Sequence, residues 1–193
     1  MKELAYGGLH ARIAGIIYSR FKPNASILDA GAGEGALTQR LVMSGFKNIW
    51  ACDICPSNYN YLPVACHYTN LNDFIPYPPN HFDLVVAVEV VEHLLNPFQL
   101  FIEARRVLKP GGVLLVTIPD VTNLRSRFKF LLKGNLECYG PVIDPSSLSE
   151  HVSIHTKFTL RNLAARAFFQ SRREEFDFRG RAFNLNKIFL FKK

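Results

Sequence analysis

Residues 25–35 read Ala25-Ser26-Ile27-Leu28-Asp29-Ala30-Gly31-Ala32-Gly33-Glu34-Gly35, and this stretch decides the fold. Ser26 to Ala30 is an apolar run of strand length that stops at alternating glycines. Gly35 to Ser44 then reads as a helix, with Gly45 as its stop. A chain that turns sharply from strand to helix, and whose backbone must approach a ligand closely, needs residues without a Cβ. The helix start adds unpaired N–H groups at the same bend.

Working outward, strand and helix signals alternate. Residues 3–21 have Leu4, Leu9, Ile13, Ile16 and Ile17 at helical spacing, and Pro23-Asn24 ends them. Asn48 to Ile54 reads as a second strand, Pro56 to Leu62 as a weak helix or loop, and Cys66 to Leu71 as a weaker third strand. Three prolines make residues 75–81 a turn. Phe82 to Val90 is the clearest buried strand, Phe98 to Leu108 a helix, Lys109 to Gly112 a tight turn and Val113 to Ile118 a fifth strand. A basic helix near Leu124 to Leu132 follows, then a loop. Thr159 to Phe169 reads as a helix with Thr159 as N-cap, and Glu175–Phe178 and Lys187–Phe191 as closing strands. Such alternation implies α/β architecture, a mostly parallel sheet covered on both faces.

The chain has 193 residues with 48% hydrophobic and 20% charged residues, which suits one well-buried domain over 1–193 and excludes global disorder. No stretch is long and apolar enough to cross a bilayer. The start reads as an amphipathic helix and not as a signal peptide. The four cysteines include Cys52 and Cys55 as a CxxC without a second pair, so a buried thiol at Cys52 is expected instead of zinc, with reduced thiols in a cytoplasmic setting. The net charge of +7 favours anionic partners without choosing among them.

Asp53 ends the second strand at the spacing of an acid that grips a ribose diol. A nicotinamide dinucleotide and S-adenosylmethionine both call for such an acid. Asp29 before the glycines and Glu34 among them would repel a pyrophosphate but suit an ammonium and a sulfonium.

In order, ILDAGAGEG, Asp53, FDLVVAVEVVEHL and LKPGGVLLVTIP resemble the class I S-adenosylmethionine-dependent methyltransferases over about residues 25–120. The resemblance implies a Rossmann-like, doubly wound sheet of seven strands with an antiparallel edge. It implies S-adenosylmethionine as cofactor and S-adenosylhomocysteine as product. Asp29, Gly31, Ala32, Gly33 and Gly35 would line the methionine part, Asp53 the ribose and Ile54 the adenine. Asn70 and Leu71 stand where the family often has an acid that accepts from the adenine amine, and Arg12 would meet the cofactor carboxylate.

Methyl transfer needs alignment, and a hydroxyl acceptor also needs its proton removed. Glu89, His93 and His155 are therefore the candidates for catalysis, Glu89 also touching the cofactor. Glu89, Glu92 and His93 form an ExxEH that resembles the quinone-biosynthesis O-methyltransferases and small-RNA 2′-O-methyltransferases that bind a divalent cation, with His151 or His155 as a further ligand. Metal-free relatives carry Glu-His-Leu at the same place, and the main reading is metal-free. Residues 119–157 read as a lid or substrate region with a basic, aromatic stretch. The expected reaction is O-methylation (or N-methylation) of a small-molecule or glycan-type acceptor. The alternatives are an RNA 2′-O-methyltransferase, a non-catalytic cofactor-binding module and a nicotinamide-dependent oxidoreductase.

Overall fold

The computed structural model describes residues 7–136, 139, 150–170, 173–178 and 186–193, with the backbone alone for 173–175, 177 and 178. Cys138 and most of the segment between 137 and 149 lie outside the described residues. The strands are β1 (Ser26–Ala30), β2 (Asn48–Asp53), β3 (Cys66–Tyr68), β4 (Phe82–Ala87), β5 (Leu108–Pro119), β6 (Arg173–Phe178) and β7 (Asn186–Lys192). The helices are α1 (Leu9–Arg20), α2 (Ala36–Met43), α3 (Pro97–Val107), α4 (Leu124–Lys133) and α5 (Lys157–Arg166).

The seven strands form one sheet in the order β3-β2-β1-β4-β5-β7-β6. β1 to β5 run parallel, while β7 is antiparallel to both β5 and β6. The antiparallel strand therefore sits one place in from the edge, and the outermost strand is β6.

Period-two alternation in the central strands feeds two apolar layers. Ile27, Leu84, Val86 and Leu115 face α1 and α2 through Leu9, Ile13, Ile17, Leu37 and Leu41. Leu28, Val85, Ala87 and Leu114 face Leu100, Phe101 and Ala104 of α3 and Leu160 and Ala164 of α5. Cys52 is fully buried among the latter, as expected of a core thiol.

Several boundaries differ from the sequence reading, each for a local reason. β4 stops at Ala87 because Glu89 takes a left-handed backbone, φ 53°, which no strand continues. β3 ends at Tyr68, and the Thr69 N–H turns back to the Asp53 carbonyl. Lys109 to Gly112 bulge within β5, since Phe82 pairs with Leu108 and Leu84 already with Val113. The N-cap of α5 is Thr156 and not Thr159: Thr156 accepts from the Thr159 N–H, and Thr159 closes the capping box. The proline turn is clamped by buried Glu103, which accepts the Ile75 N–H at 3.0 Å and pairs with Arg106. Arg106 donates in turn to the carbonyls of Ile75 and Tyr77. Strand order reverses between β1 and β4, so the crevice at their carboxyl ends is where such a sheet receives a ligand.

Candidate functional site

The glycine bend between β1 and α2 is satisfied from within. Gly31 and Ala32 donate to the Cys52 carbonyl at 2.8 and 3.1 Å, Gly33 donates to Asp53 Oδ2 at 2.9 Å, and Gly35 donates to the Ala32 carbonyl at 2.8 Å. The N–H groups expected to point at a ligand are therefore taken, and in this arrangement none of these four cradles a phosphate. What the bend offers instead is negative charge.

Asp29, 2% exposed, lies beneath the bend and accepts from Thr38 Oγ1 at 2.6 Å. Burial pushes its carboxyl up to about 6, against the pull of Thr38, and neighbouring Asp53 adds to the rise. A group so enclosed acts on a ligand through its field. Asp53 ends β2 half-buried, with Oδ1 accepting from the Cys55 N–H at 2.8 Å and Oδ2 from Gly33. Ile54, half-buried, follows it directly. Sequence reasoning missed Thr38, and also Tyr59, whose ring stands 2.8 Å from the place of a Cβ on Gly35. The loop carrying Tyr59 folds over the bend, with the Asn60 N–H on the Glu34 carbonyl.

Three expected cofactor contacts are placed otherwise. Asn70 Oδ1 already accepts from the backbone and side-chain nitrogens of Asn72, an Asx turn that uses both of its lone pairs. Leu71 is buried in the core. Arg12 is exposed and lines a groove of about 460 Å³ with Ser19, Arg20 and Phe176 of the outermost strand, and no described contact joins it to the glycine bend.

After β4, the strained backbone at Glu89 is held by Thr117 of β5. The Glu89 N–H donates to Thr117 Oγ1 at 2.9 Å, and that hydroxyl donates to Glu89 Oε1 at 2.7 Å. Asn186 of β7 donates to Oε2 at 2.6 Å. Burial lifts the Glu89 carboxyl to about 7, with the two hydrogen bonds opposing. Left-handed non-glycine backbone held this firmly is the kind of strain found at working sites.

Glu92, fully buried, has no hydrogen-bond partner among the described residues on either carboxylate oxygen, and burial together with the charge of Glu89 raises it well above the usual range. His93 Nδ1 lies 2.9 Å from the Glu150 carbonyl. A carbonyl only accepts, so Nδ1 carries the proton and Nε2 presents a lone pair. Burial lowers the His93 ring below its ordinary value, which keeps it neutral. Donor atoms of Glu92, His93 and His151 lie within 4.8 Å of one another, a set whose chemistry fits a divalent cation. Glu89, expected among such ligands, is turned to Thr117 and Asn186 instead.

His155 is outside this cluster. Its Nε2 is 2.9 Å from Ser153 Oγ, and it lines a groove between α3 and α5 with Phe98, Thr159 and Leu163. That placement does not support the catalytic role expected of it.

A family model described as a methyltransferase domain matches residues 28–116. A probable S-adenosylmethionine-dependent methyltransferase of Mycolicibacterium smegmatis is 31% identical over 113 residues, 54% of this chain and 43% of that protein. The ubiquinone biosynthesis O-methyltransferase of Xanthomonas campestris pv. campestris is 28% identical over 104 residues, 49% of this chain and 43% of that one. The chain thus spans less than half the length of these two relatives. A crystal structure of a SAM-dependent methyltransferase from Archaeoglobus fulgidus shares the fold with a TM-score of 0.73 at 17% identity, covering 96% of this chain and 93% of that one. Residues 28–116 thus carry a methyltransferase domain, and with its glycine bend, its acid at the end of β2 and this strand order the chain has the fold of the S-adenosylmethionine-dependent methyltransferases.

Proposed function

We propose that the chain transfers a methyl group from S-adenosylmethionine to an oxygen of a small-molecule acceptor. The observation that carries the reading is the pair Asp29 and Asp53, at the carboxyl ends of adjacent strands and bridged by a bend with Gly33 bonded to Asp53. Their negative charge suits a cofactor bearing an ammonium and a sulfonium, and a ribose diol can share the outer lone pairs of Asp53. Calorimetry with S-adenosylhomocysteine and with NAD tests it: the first is expected to bind and the second not, and tight NAD binding alone overturns the reading. The same titration carries a pH signature. With the Asp29 carboxyl near 6, S-adenosylmethionine affinity is expected to fall by up to about tenfold between pH 7 and pH 5, and to be flatter over that range in Asp29→Asn. The stability of the free protein responds with the opposite sign. The folded state holds this proton more tightly than the unfolded chain, so Asp29 favours folding increasingly as pH falls from about 6 towards its ordinary value of 3.8.

His93 is the proposed general base. It is neutral, its tautomer is fixed by the Glu150 carbonyl, and its Nε2 lone pair can take the acceptor's proton as the methyl group moves. His93→Gln is expected to lower kcat by about 10²- to 10⁴-fold while the cofactor Kd stays near wild type, and His155→Ala to leave kcat within threefold. A second reading rests on the unpartnered Glu92 carboxylate: Glu92, His93 and His151 would hold Mg²⁺, Mn²⁺ or Zn²⁺, a Lewis acid towards the acceptor oxygen. Activity abolished by a chelator and restored by one of these ions selects the second reading; activity indifferent to chelator selects the first. The relatives, among them ubiquinone O- and C-methyltransferases and a sterol 24-C-methyltransferase, support a small organic acceptor over a glycan or RNA.

A further inference from the structure

Helix α4 is closed by its own sequence. Asn123 caps it by accepting the Ser126 N–H at 2.8 Å, and Gly134 ends it in the left-handed conformation. Yet of its ten residues only Ser126 is buried. Ser126 marks the side nearest the protein, although Phe130 and Lys133, within about 40° of it, are exposed as well. At about 100° per residue, Leu124, Phe128, Leu131 and Leu132 share an arc roughly 100° wide on the opposite side. Their exposures are 44%, 63%, 78% and 78%. Arg127 borders one flank of this stripe, its Nε anchored on the Thr122 carbonyl, while Arg125 and then Lys129 border the other. The helix contains no acidic residue.

A helix on a water-soluble surface turns its apolar stripe inward; α4 turns it outward between Arg127 on one flank and Arg125 and Lys129 on the other. A lid closed over the cofactor crevice would show the reverse, with Ser126 outside. An RNA backbone would use the cations and leave four large apolar side chains in water. Only an interface with an apolar interior and an anionic rim satisfies both sets together, the cationic stems lying along the boundary and their heads reaching the headgroups. The geometry points to α4 as a docking element for the surface of an anionic bilayer. No helix among the described residues is long and apolar enough to cross a membrane, so the contact is peripheral. α4 follows the carboxyl end of β5, the same end of the parallel strands as Asp29 and Asp53. Docking there turns the crevice towards the lipid, which deepens the reading above to an acceptor drawn from the membrane.

The test is co-sedimentation of the full chain with vesicles of equal phosphatidylglycerol and phosphatidylcholine, against phosphatidylcholine alone. The wild type is expected to sediment with the anionic vesicles and stay in solution with the neutral ones. Leu131→Ser/Leu132→Ser and Arg125→Gln/Lys129→Gln are each expected to lower the bound fraction at least about tenfold, with S-adenosylhomocysteine binding unchanged as the control for folding. Failure to bind anionic vesicles overturns the proposal, as does undiminished binding by the serine variant. Binding of single-stranded RNA that the glutamine variant loses and the serine variant keeps, with no vesicle binding, assigns the cations to nucleic acid and also overturns it. Loss of cofactor binding by the wild type would strike the methyltransferase reading instead and leave the vesicle result standing.

Discussion

Asp53→Ala is expected to raise the Kd for S-adenosylhomocysteine by roughly 30- to 5,000-fold, the equivalent of about 2–5 kcal/mol. Two losses add. The first is the carboxylate that would accept both ribose hydroxyls. The second is internal: Asp53 accepts the N–H groups of Gly33 and Cys55, and alanine leaves both donors without their partner. Asp53→Asn separates the two. An amide has one oxygen, so it can hold either Gly33 or Cys55 while its NH₂ meets the other donor face on. If the carboxylate mattered only as a brace for the bend, both variants would lower the stability of the free protein in proportion to their loss of affinity. If it grips the ribose, affinity falls by more than stability, and the difference is measured by comparing thermal melts without ligand to calorimetric Kd values. A Kd within threefold of wild type in Asp53→Ala removes the ribose assignment.

The legibility of this protein divides by how local the determining contacts are. β1, the glycine bend and Asp53 were readable because each is set by neighbours in sequence: an apolar run, residues able to take φ near +80°, and an acid one strand later. The hidden half depends on long-range partners. Asn186 reaches Glu89 across 97 positions, and Thr117 across 28, and nothing in the composition of either segment signals a carboxylate partner. Those two contacts also explain why the strand read through Val90 stops at Ala87: the local pattern is apolar, and the tertiary hydrogen bonds override it. The placement of Arg12 was hidden for a related reason. Its helical face was predictable only to within the stripe of Leu9, Ile13 and Ile17, and the groove it lines is shaped by Phe176 from the far end of the chain. His93 was legible as a candidate, but its tautomer depends on a backbone carbonyl 57 residues away.

Gly31→Ala is expected to destabilise the chain by about 2–5 kcal/mol, seen as a fall of roughly 4–20 °C in Tm. Gly31 sits at φ +80°, where any L-residue other than glycine costs about 1–2 kcal/mol. A Cβ there would also collide with Val90 Cγ2, so the Val90 side chain must shift, at about 1–3 kcal/mol. A double-mutant cycle separates these costs. Val90→Ala removes the obstructing methyl groups, so in that background Gly31→Ala should retain the backbone cost and lose the steric one, giving a favourable coupling of about 1–3 kcal/mol. A coupling near zero would mean that the bend and the segment after β4 adjust independently. The cycle also bears on catalysis, because Val90 adjoins Glu89, whose backbone is itself strained. A bend pushed away by a Cβ would displace the Glu89–His93 turn relative to the cofactor's side of the crevice. In the proposed methyl transfer, alignment of acceptor and methyl group depends on those two segments holding a fixed separation. Gly31→Ala should therefore lower kcat at saturating cofactor as well as stability, and Val90→Ala in the same chain should recover part of both.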